Sequence, residues 1–322
     1  MSYPVSTPHV AAVINPRSGG GHTGRSWRVI SGELEKRLGP IVPLFTRQPA
    51  TPHFLPGAEL AREALRHNAQ LVIAVGGDGT ISEVANGFFG EDGRPVNPDA
   101  HFAIIPAGTG GDFRKSFGLS NDPQEAIARI ASGKTVSLDV GHMRFVSHDG
   151  LETSRYFVNI ASFGLSGVVV ARVNRSGWPR LLGGRFTFFW ESLIGSLGYR
   201  PQPVRLTIEG EEPGDVRVLV SALGNGRFFG GGMMIAPDAR PDDGLFDFVT
   251  LRDMGFWGLS RLSGAIYKGT HTGHARVVSR RIRALTAEPL DEKPVLLDVD
   301  GEAPGRLPAR FELLPGALTL RI

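Results

Sequence analysis

The chain has 322 residues, 41% hydrophobic and 21% charged, with a formal net charge of +3, the composition of an ordinary globular protein with material for two domains. It contains no cysteine, which excludes disulfides and thiolate metal sites, and its 43 glycines, without a collagen-like period, point to many tight turns and close backbone approaches. Arginine is dispersed rather than massed with aromatics, which argues against a nucleic-acid binder, while the small positive charge suits an anionic ligand or surface. The first stretch, MSYPVSTPHVAAVINP, lacks a basic n-region and has only a short apolar run, so it does not read as a signal peptide. No run approaches the roughly 20 apolar residues of a spanning helix.

Along the first half one pattern repeats. HVAAVIN leads into PRSGGGHTG and a helix expected over Arg25 to Leu38; LVIAV leads into GGDGT and a helix expected from Ile81; HFAIIP leads into AGTGGD. Short apolar runs bounded by glycine are how strands buried on both faces look in sequence, and their alternation with helices predicts a parallel α/β sheet. Turns that follow parallel strands lie together at the strands' carboxyl ends, so the three glycine-rich turns are expected to converge. Glycine lets backbone N–H groups approach an anion, and helix N-termini add partial positive charge, so the convergence reads as a phosphate cradle. Thr80 is placed to cap the helix after the second turn. The bland alternative is that each turn only reverses the chain. Gly19-x-Gly21-x-x-Gly24 also matches the dinucleotide fingerprint, but the next strand, IVPLF, ends in Thr46-Arg47 rather than an acid for a ribose hydroxyl. An NADP oxidoreductase stays open on that arginine, though it leaves GGDGT unexplained.

From about Met143 the texture becomes short β-rich runs: YFVNIASFG, VRLTIEG, VRVLVSALGNG, LFDFVTL, ARVVSRRIRAL, VLLDVDGE and LTLRI. The expected domains are residues 1–142, α/β, and residues 143–322, mostly β and sandwich-like. Arg180 to Tyr199 is the helix-like exception, read as a core helix rather than a lipid-lined wall. DVDGE and DARPDDGLFDF both contain Asp-Gly, a common hairpin turn. His271 and His274 have no partnering acid at a metal-binding spacing and read as a polar loop. Arg276, Arg280, Arg281 and Arg283 read as a solvated strand face.

In order along the chain, VINPRSGGG, GGDGTISEVANG, PAGTGGDF, LDVG, NGRFFGGGMMIAPDARPDDGLFDF and DVDGE resemble the motifs of the diacylglycerol kinase catalytic-domain family, which includes bacterial lipid kinases and sphingosine and ceramide kinases. The resemblance covers nearly the whole chain. It implies a nucleotide-binding α/β domain followed by a β-rich domain, and an ATP- and Mg-dependent kinase. The γ-phosphate would go to a hydroxyl of a diacylglycerol-like or sphingoid lipid, as in phospholipid biosynthesis. Carried over by matching motif, Asn15, Pro16, Arg17, Ser18, Gly19, Thr46, Gly77, Asp78, Gly79, Thr80, Ile81, Ser82, Glu83 and Thr109 would line the ATP site. Asp78 and Asp139 are the candidates to hold Mg²⁺. The carbonyls of Arg240 and Leu245 with the Asp243 carboxylate would form a second divalent-metal site. Glu302 would be the general base, with Asp300 as its near neighbour.

Two positions depart from the family pattern: Ser82 stands where asparagine is usual, and Gly111 replaces the asparagine of Gly-Thr-x-Asn-Asp. The expected partner is lipid at a membrane surface, reached from the cytoplasm by a peripheral protein, and a homo-oligomer is left open. An NAD kinase, which shares GGDGT, and a non-catalytic nucleotide- or lipid-binding module are the alternatives.

Overall fold

The computed structural model describes residues 10–47, 54–108, 110–176 and 198–322. Residues 180–197 of the expected core helix lie outside that set, as does Thr109. Chain contacts divide the molecule into two units, Met1–Leu138 with Gly316–Ile322, and Asp139–Pro315.

The first unit alternates strand and helix: β1 (Val10–Ile14), α1 (His22–Leu38), β2 (Ile41–Phe45), α2 (Pro56–Arg66), β3 (Leu71–Gly76), α3 (Asp78–Gly87), β4 (His101–Pro106), α4 (Asp112–Ser116) and α5 (Pro123–Ser132). The strands pair in parallel in the order β2-β1-β3-β4. Every residue of β1 and β3 is buried, as expected of strands covered on both faces. Ile30 and Leu34 of α1 and Ile127 and Ile130 of α5 pack on Val10, Ala12, Ile73 and Val75. The run LTLRI returns to this unit, where Thr319 and Leu320 pair in parallel with His101 and Phe102 of β4.

Two helices begin three residues earlier than expected, and for one reason: the glycines end the turns instead of filling them. Gly21, at φ 84°, is the N-cap of α1, and Gly77 is the N-cap of α3. Thr80 therefore lies inside the first turn of α3 and makes no cap hydrogen bond, contrary to expectation.

The second unit contains β5 (Thr135–Ser147, whose first residues belong to unit one), β6 (Glu152–Phe157), β7 (Ile160–Gly164), α6 (Leu165–Ser176), β8 (Gln202–Ile208), β9 (Gly214–Gly224), β10 (Phe246–Arg252), α7 (Phe256–Lys268), β11 (Val277–Ile282), β12 (Ala284–Pro289), β13 (Leu297–Val299) and β14 (Gly305–Arg321). Pairing is antiparallel: β9 contacts β7, β8 and β10, β10 contacts β11, β12 contacts β8 and β14, and β13 contacts β7. A mixed α/β chain with an N-terminal parallel sheet and a mostly antiparallel second half is the fold class read from the sequence. One core stacks Phe157 on Phe246 at 5.5 Å and Phe163 on Phe311 at 6.1 Å. A second core gathers Val169 of α6 and Leu262 and Ile266 of α7. Neither helix was anticipated. The Val168-Val169-Val170 run has β propensity, and burial of Val169 against the sheet overrides it.

Candidate functional site

In the first unit the three turns lie together, held by side chains from each. The Asn15 amide donates to Thr80 Oγ1 at 3.2 Å, and Ser18 Oγ donates to the Ala107 carbonyl at 2.9 Å. Thr23 Oγ1 donates to the Ser18 carbonyl at 3.1 Å. Asp78 ties the second turn to the third: its two oxygens accept from the Asp112 and Phe113 backbone N–H groups, each at 3.2 Å. Those donors open α4, so Asp78 closes that helix's N-terminus across the turn. Burial pushes the Asp78 carboxyl up, and the neighbouring Asp112 adds to the shift.

The glycines make this approach feasible. Gly19, Gly20 and Gly21 have φ of 58°, 66° and 84°, a left-handed succession that side chains resist. A Cβ on Gly108 would stand 2.6 Å from the Gly77 Cα, so the second and third turns touch backbone to backbone. On the other side Gly20 and Gly79 face open space. Three glycine turns thus bring main chain together at a helix start, the kind of backbone that can accept an anion.

The remaining residues expected here divide. Arg17 is exposed and its N–H donates to Asn15 Oδ1 at 3.1 Å, which fixes the turn through Pro16. The Thr46 N–H donates to the Ile14 carbonyl at 2.8 Å, placing the end of β2 beside the first turn. Ile81 and Ser82 are buried in α3. Glu83 points elsewhere: its Oε2 accepts from the Gly57 N–H at 2.7 Å, at the start of α2. Gly111 has φ 64° and ψ 37°, the left-handed region that glycine and asparagine both tolerate. The replacement thus preserves the backbone of the third turn and removes an amide.

In the second unit, Val299 to Glu302 form a tight reversal. The Val299 N–H donates to the Glu302 carbonyl at 2.8 Å and the Glu302 N–H to the Val299 carbonyl at 3.0 Å. Asp300 and Gly301 have φ of 49° and 87°, the paired positive values of a two-residue hairpin turn. The Asp300 carboxylate accepts three backbone N–H groups: Val158 at 3.1 Å, Asn159 at 3.1 Å and Ile160 at 3.0 Å. Its role in this geometry is to lock the turn onto the chain entering β7. Glu302 is exposed, and its Oε2 accepts from the Asn174 amide of α6 at 3.3 Å. Four residues upstream of Glu302, Asp298 is buried and its carboxyl is pushed up to about 7 by burial. No sequence signal separated that aspartate from its strand.

Asp139, in β5, bonds to the loop of Arg240, Asp243 and Leu245. Its N–H donates to the Pro241 carbonyl and its Oδ2 accepts from the Gly244 N–H, both at 2.7 Å. Asp243 Oδ1 accepts from the Leu245 N–H at 3.1 Å, and Arg281 forms an ion pair with its other oxygen. A cation at Asp243 would have to displace that guanidinium. Among the described residues no cluster of three or more His, Asp or Glu stands ready for a metal ion. That donor set fits Mg²⁺ only as a cation held by one or two carboxylates and by the phosphates themselves. Arg280 pairs with Glu211, and Arg276 donates to the Asp253 carbonyl, in keeping with a solvated strand face. His271 departs from expectation: it is fully buried, with Nε2 3.0 Å from the Ile235 carbonyl.

Comparison with known proteins meets this geometry in two matches. Residues 9–143 match the diacylglycerol kinase catalytic domain. Residues 159–322, half of the chain, match the YegS C-terminal NAD kinase beta sandwich-like domain. The chain belongs to the diacylglycerol kinase family. Relatives of this kinase family include the diacylglycerol kinase of Mycobacterium tuberculosis (strain ATCC 25618 / H37Rv), 29% identical over 310 residues, 96% of this chain and 93% of that one. The diacylglycerol kinase of Staphylococcus carnosus (strain TM300) is 29% identical over 254 residues, 78% of this chain and 76% of that one. Among solved structures, a candidate diacylglycerol kinase from Bacillus anthracis str. Sterne superposes with a TM-score of 0.76 at 23% identity, covering 99% of this chain and 97% of that one. Yeast NADH kinase, solved with NADH, shares the fold at a TM-score of 0.52 and 11% identity, over 99% of this chain and 87% of that one. Among the described residues of this kinase-family chain, no helix is long and apolar enough to cross a membrane.

Proposed function

We propose that the chain is an ATP- and Mg-dependent lipid kinase that phosphorylates a hydroxyl of a diacylglycerol-like or sphingoid lipid at a membrane surface. The observation that carries the reading is the binding-together of three glycine turns by Asn15, Ser18 and Asp78, which leaves a main-chain cradle open at Gly20 and Gly79. Phosphoryl transfer asks for held phosphates, neutralised charge and an aligned acceptor rather than covalent help. Residues 15–19 and 77–80 would hold the phosphates through N–H groups. Bound Mg²⁺ would supply charge neutralisation, and Asp78 is the carboxylate in the cradle with which to hold it. Glu302 would accept the proton of the lipid hydroxyl, and Asp300 would keep its turn in place. The family membership and the curated relatives' names support a lipid acceptor.

The test is transfer of label from γ-labelled ATP with Mg²⁺ to diacylglycerol, sphingosine and ceramide in mixed micelles, with NAD as a competing acceptor. Label in a lipid is the expected result. Label in NAD alone would convert the reading to an NAD kinase, and ATP binding with no labelled acceptor would convert it to a binding module.

A further inference from the structure

The acid turn has a third carboxyl that the proposed mechanism does not use. Asp298, in β13, is 3% exposed, and both its oxygens are engaged. Oδ1 accepts from the Gly301 N–H at 3.0 Å, inside the reversal that presents Glu302. Oδ2 accepts from Ser162 Oγ of β7 at 3.1 Å, and Ser162 Oγ stands 2.8 Å from Ser166 Oγ at the start of α6. Both serines are buried.

A hydroxyl can donate or accept, so this chain is satisfied in two states. With Asp298 ionised, Ser166 donates to Ser162 and Ser162 to the carboxylate. With Asp298 protonated, the carboxyl donates to Ser162 and Ser162 to Ser166. The Gly301 N–H keeps its acceptor in both, so the turn need not move when the proton does.

We propose that Asp298 is a positioning residue for Glu302, gripping the turn through Gly301 and setting the basicity of Glu302 by gaining or losing a proton against the Ser162–Ser166 pair. The proposal rests on the kinase reading above only for its kinetic consequence. The charges that act on Asp298 are those of Asp300 and Glu302, both of its own sign, while β7 and α6 face it with the two serine hydroxyls. Burial dominates the upward shift to about 7, and the bonds from Gly301 and Ser162 oppose it. Above that pH the negative charge of Asp298 disfavours a second negative charge at Glu302, so Glu302 holds a proton more readily and is the stronger base. Below it, the neutral carboxyl leaves Glu302 weaker. Such coupling is reciprocal.

The experiment is a side-chain carboxyl NMR titration of the full chain, with pH–rate profiles for the same variants. In Glu302→Gln, loss of a like charge should lower the Asp298 midpoint by on the order of one unit. In Asp298→Asn the rate step near neutral pH should disappear, with turnover at pH 8 reduced about threefold to tenfold. Ser162→Ala removes a donor to the ionised form and should move the Asp298 midpoint to higher pH while the step remains. An unmoved Asp298 midpoint in Glu302→Gln overturns the proposal whether or not any lipid is phosphorylated. An unmoved Asp298 midpoint in Ser162→Ala overturns the serine part. Should Asp298→Asn fail to fold, the Asp298 midpoint in Glu302→Gln still decides the question, downward for coupling and unmoved against it.

Discussion

Two Asp-Gly turns of the second unit, Asp243-Gly244 and Asp300-Gly301, have sequences that invite one reading and surroundings that call for two. At Asp243-Gly244 the aspartate bonds the Leu245 N–H and pairs with Arg281, so its charge is met by a cation from the neighbouring strand. At Asp300-Gly301 the aspartate itself takes a positive φ and its carboxylate is met by three main-chain N–H groups. The first arrangement satisfies a charge. The second uses a charge to hold a hairpin rigid, with an exposed glutamate at its exit. An acid becomes useful for proton transfer when its neighbours fix its position and leave it reachable, and only the 300–302 turn meets both conditions.

The largest effect that could break this comparison belongs to Glu302. Glu302→Gln should lower turnover by about 10²–10⁴-fold while nucleotide affinity, measured by calorimetry, stays within a few-fold. Equal turnover would reduce the 300–302 turn to another hairpin. Asp300→Ala comes next. It strands three backbone donors and puts a side chain less tolerant of positive φ at 49°, so a loss of roughly 1–3 kcal/mol in denaturant unfolding is expected, with turnover falling alongside. Arg281→Gln should do least to stability, within about 1 kcal/mol, since the pair is partly solvated. It sharpens the contrast in another way: freed of the guanidinium, Asp243 should bind a divalent cation more tightly, read by calorimetric titration with Mg²⁺ or Ca²⁺. No change in cation affinity would remove Asp243 from the metal-site proposal.

Much of the first unit was legible because its determinants are local. Uninterrupted apolar runs such as LVIAV can be buried on both faces only in a parallel sheet, and the glycines that follow them fix where the strands stop. The convergence of the turns followed from topology alone. What the residues do within that convergence was less visible. Asp78 looked like a cation ligand and also closes α4; Thr80 looked like a helix cap and instead receives the Asn15 amide; Glu83 serves the start of α2. In each case a polar side chain found a partner 26 to 65 residues away, a distance that spacing does not encode.

Asp298 shows the limit most clearly. Leu297, Asp298 and Val299 are all buried, so the period-two alternation that would mark an acid as outward-facing is absent. DVDGE read as a turn with two acids, and the third was hidden among strand residues. His271 was misplaced for the same reason, since a histidine beside glycine and threonine looks like a loop residue until α7 and the strands enclose it.

The sequence by itself determined the order of strands and helices in the first half, the positions of the glycine turns and the family to which the chain belongs. These depend on local apolar runs, on residues that alone permit certain backbone angles, and on motif order. Tertiary structure alone decided which carboxylates are held by N–H groups, which is paired with arginine and which is buried beside hydroxyls. Those fates depend on desolvation and on donors delivered by remote segments, which the residues beside each aspartate do not encode.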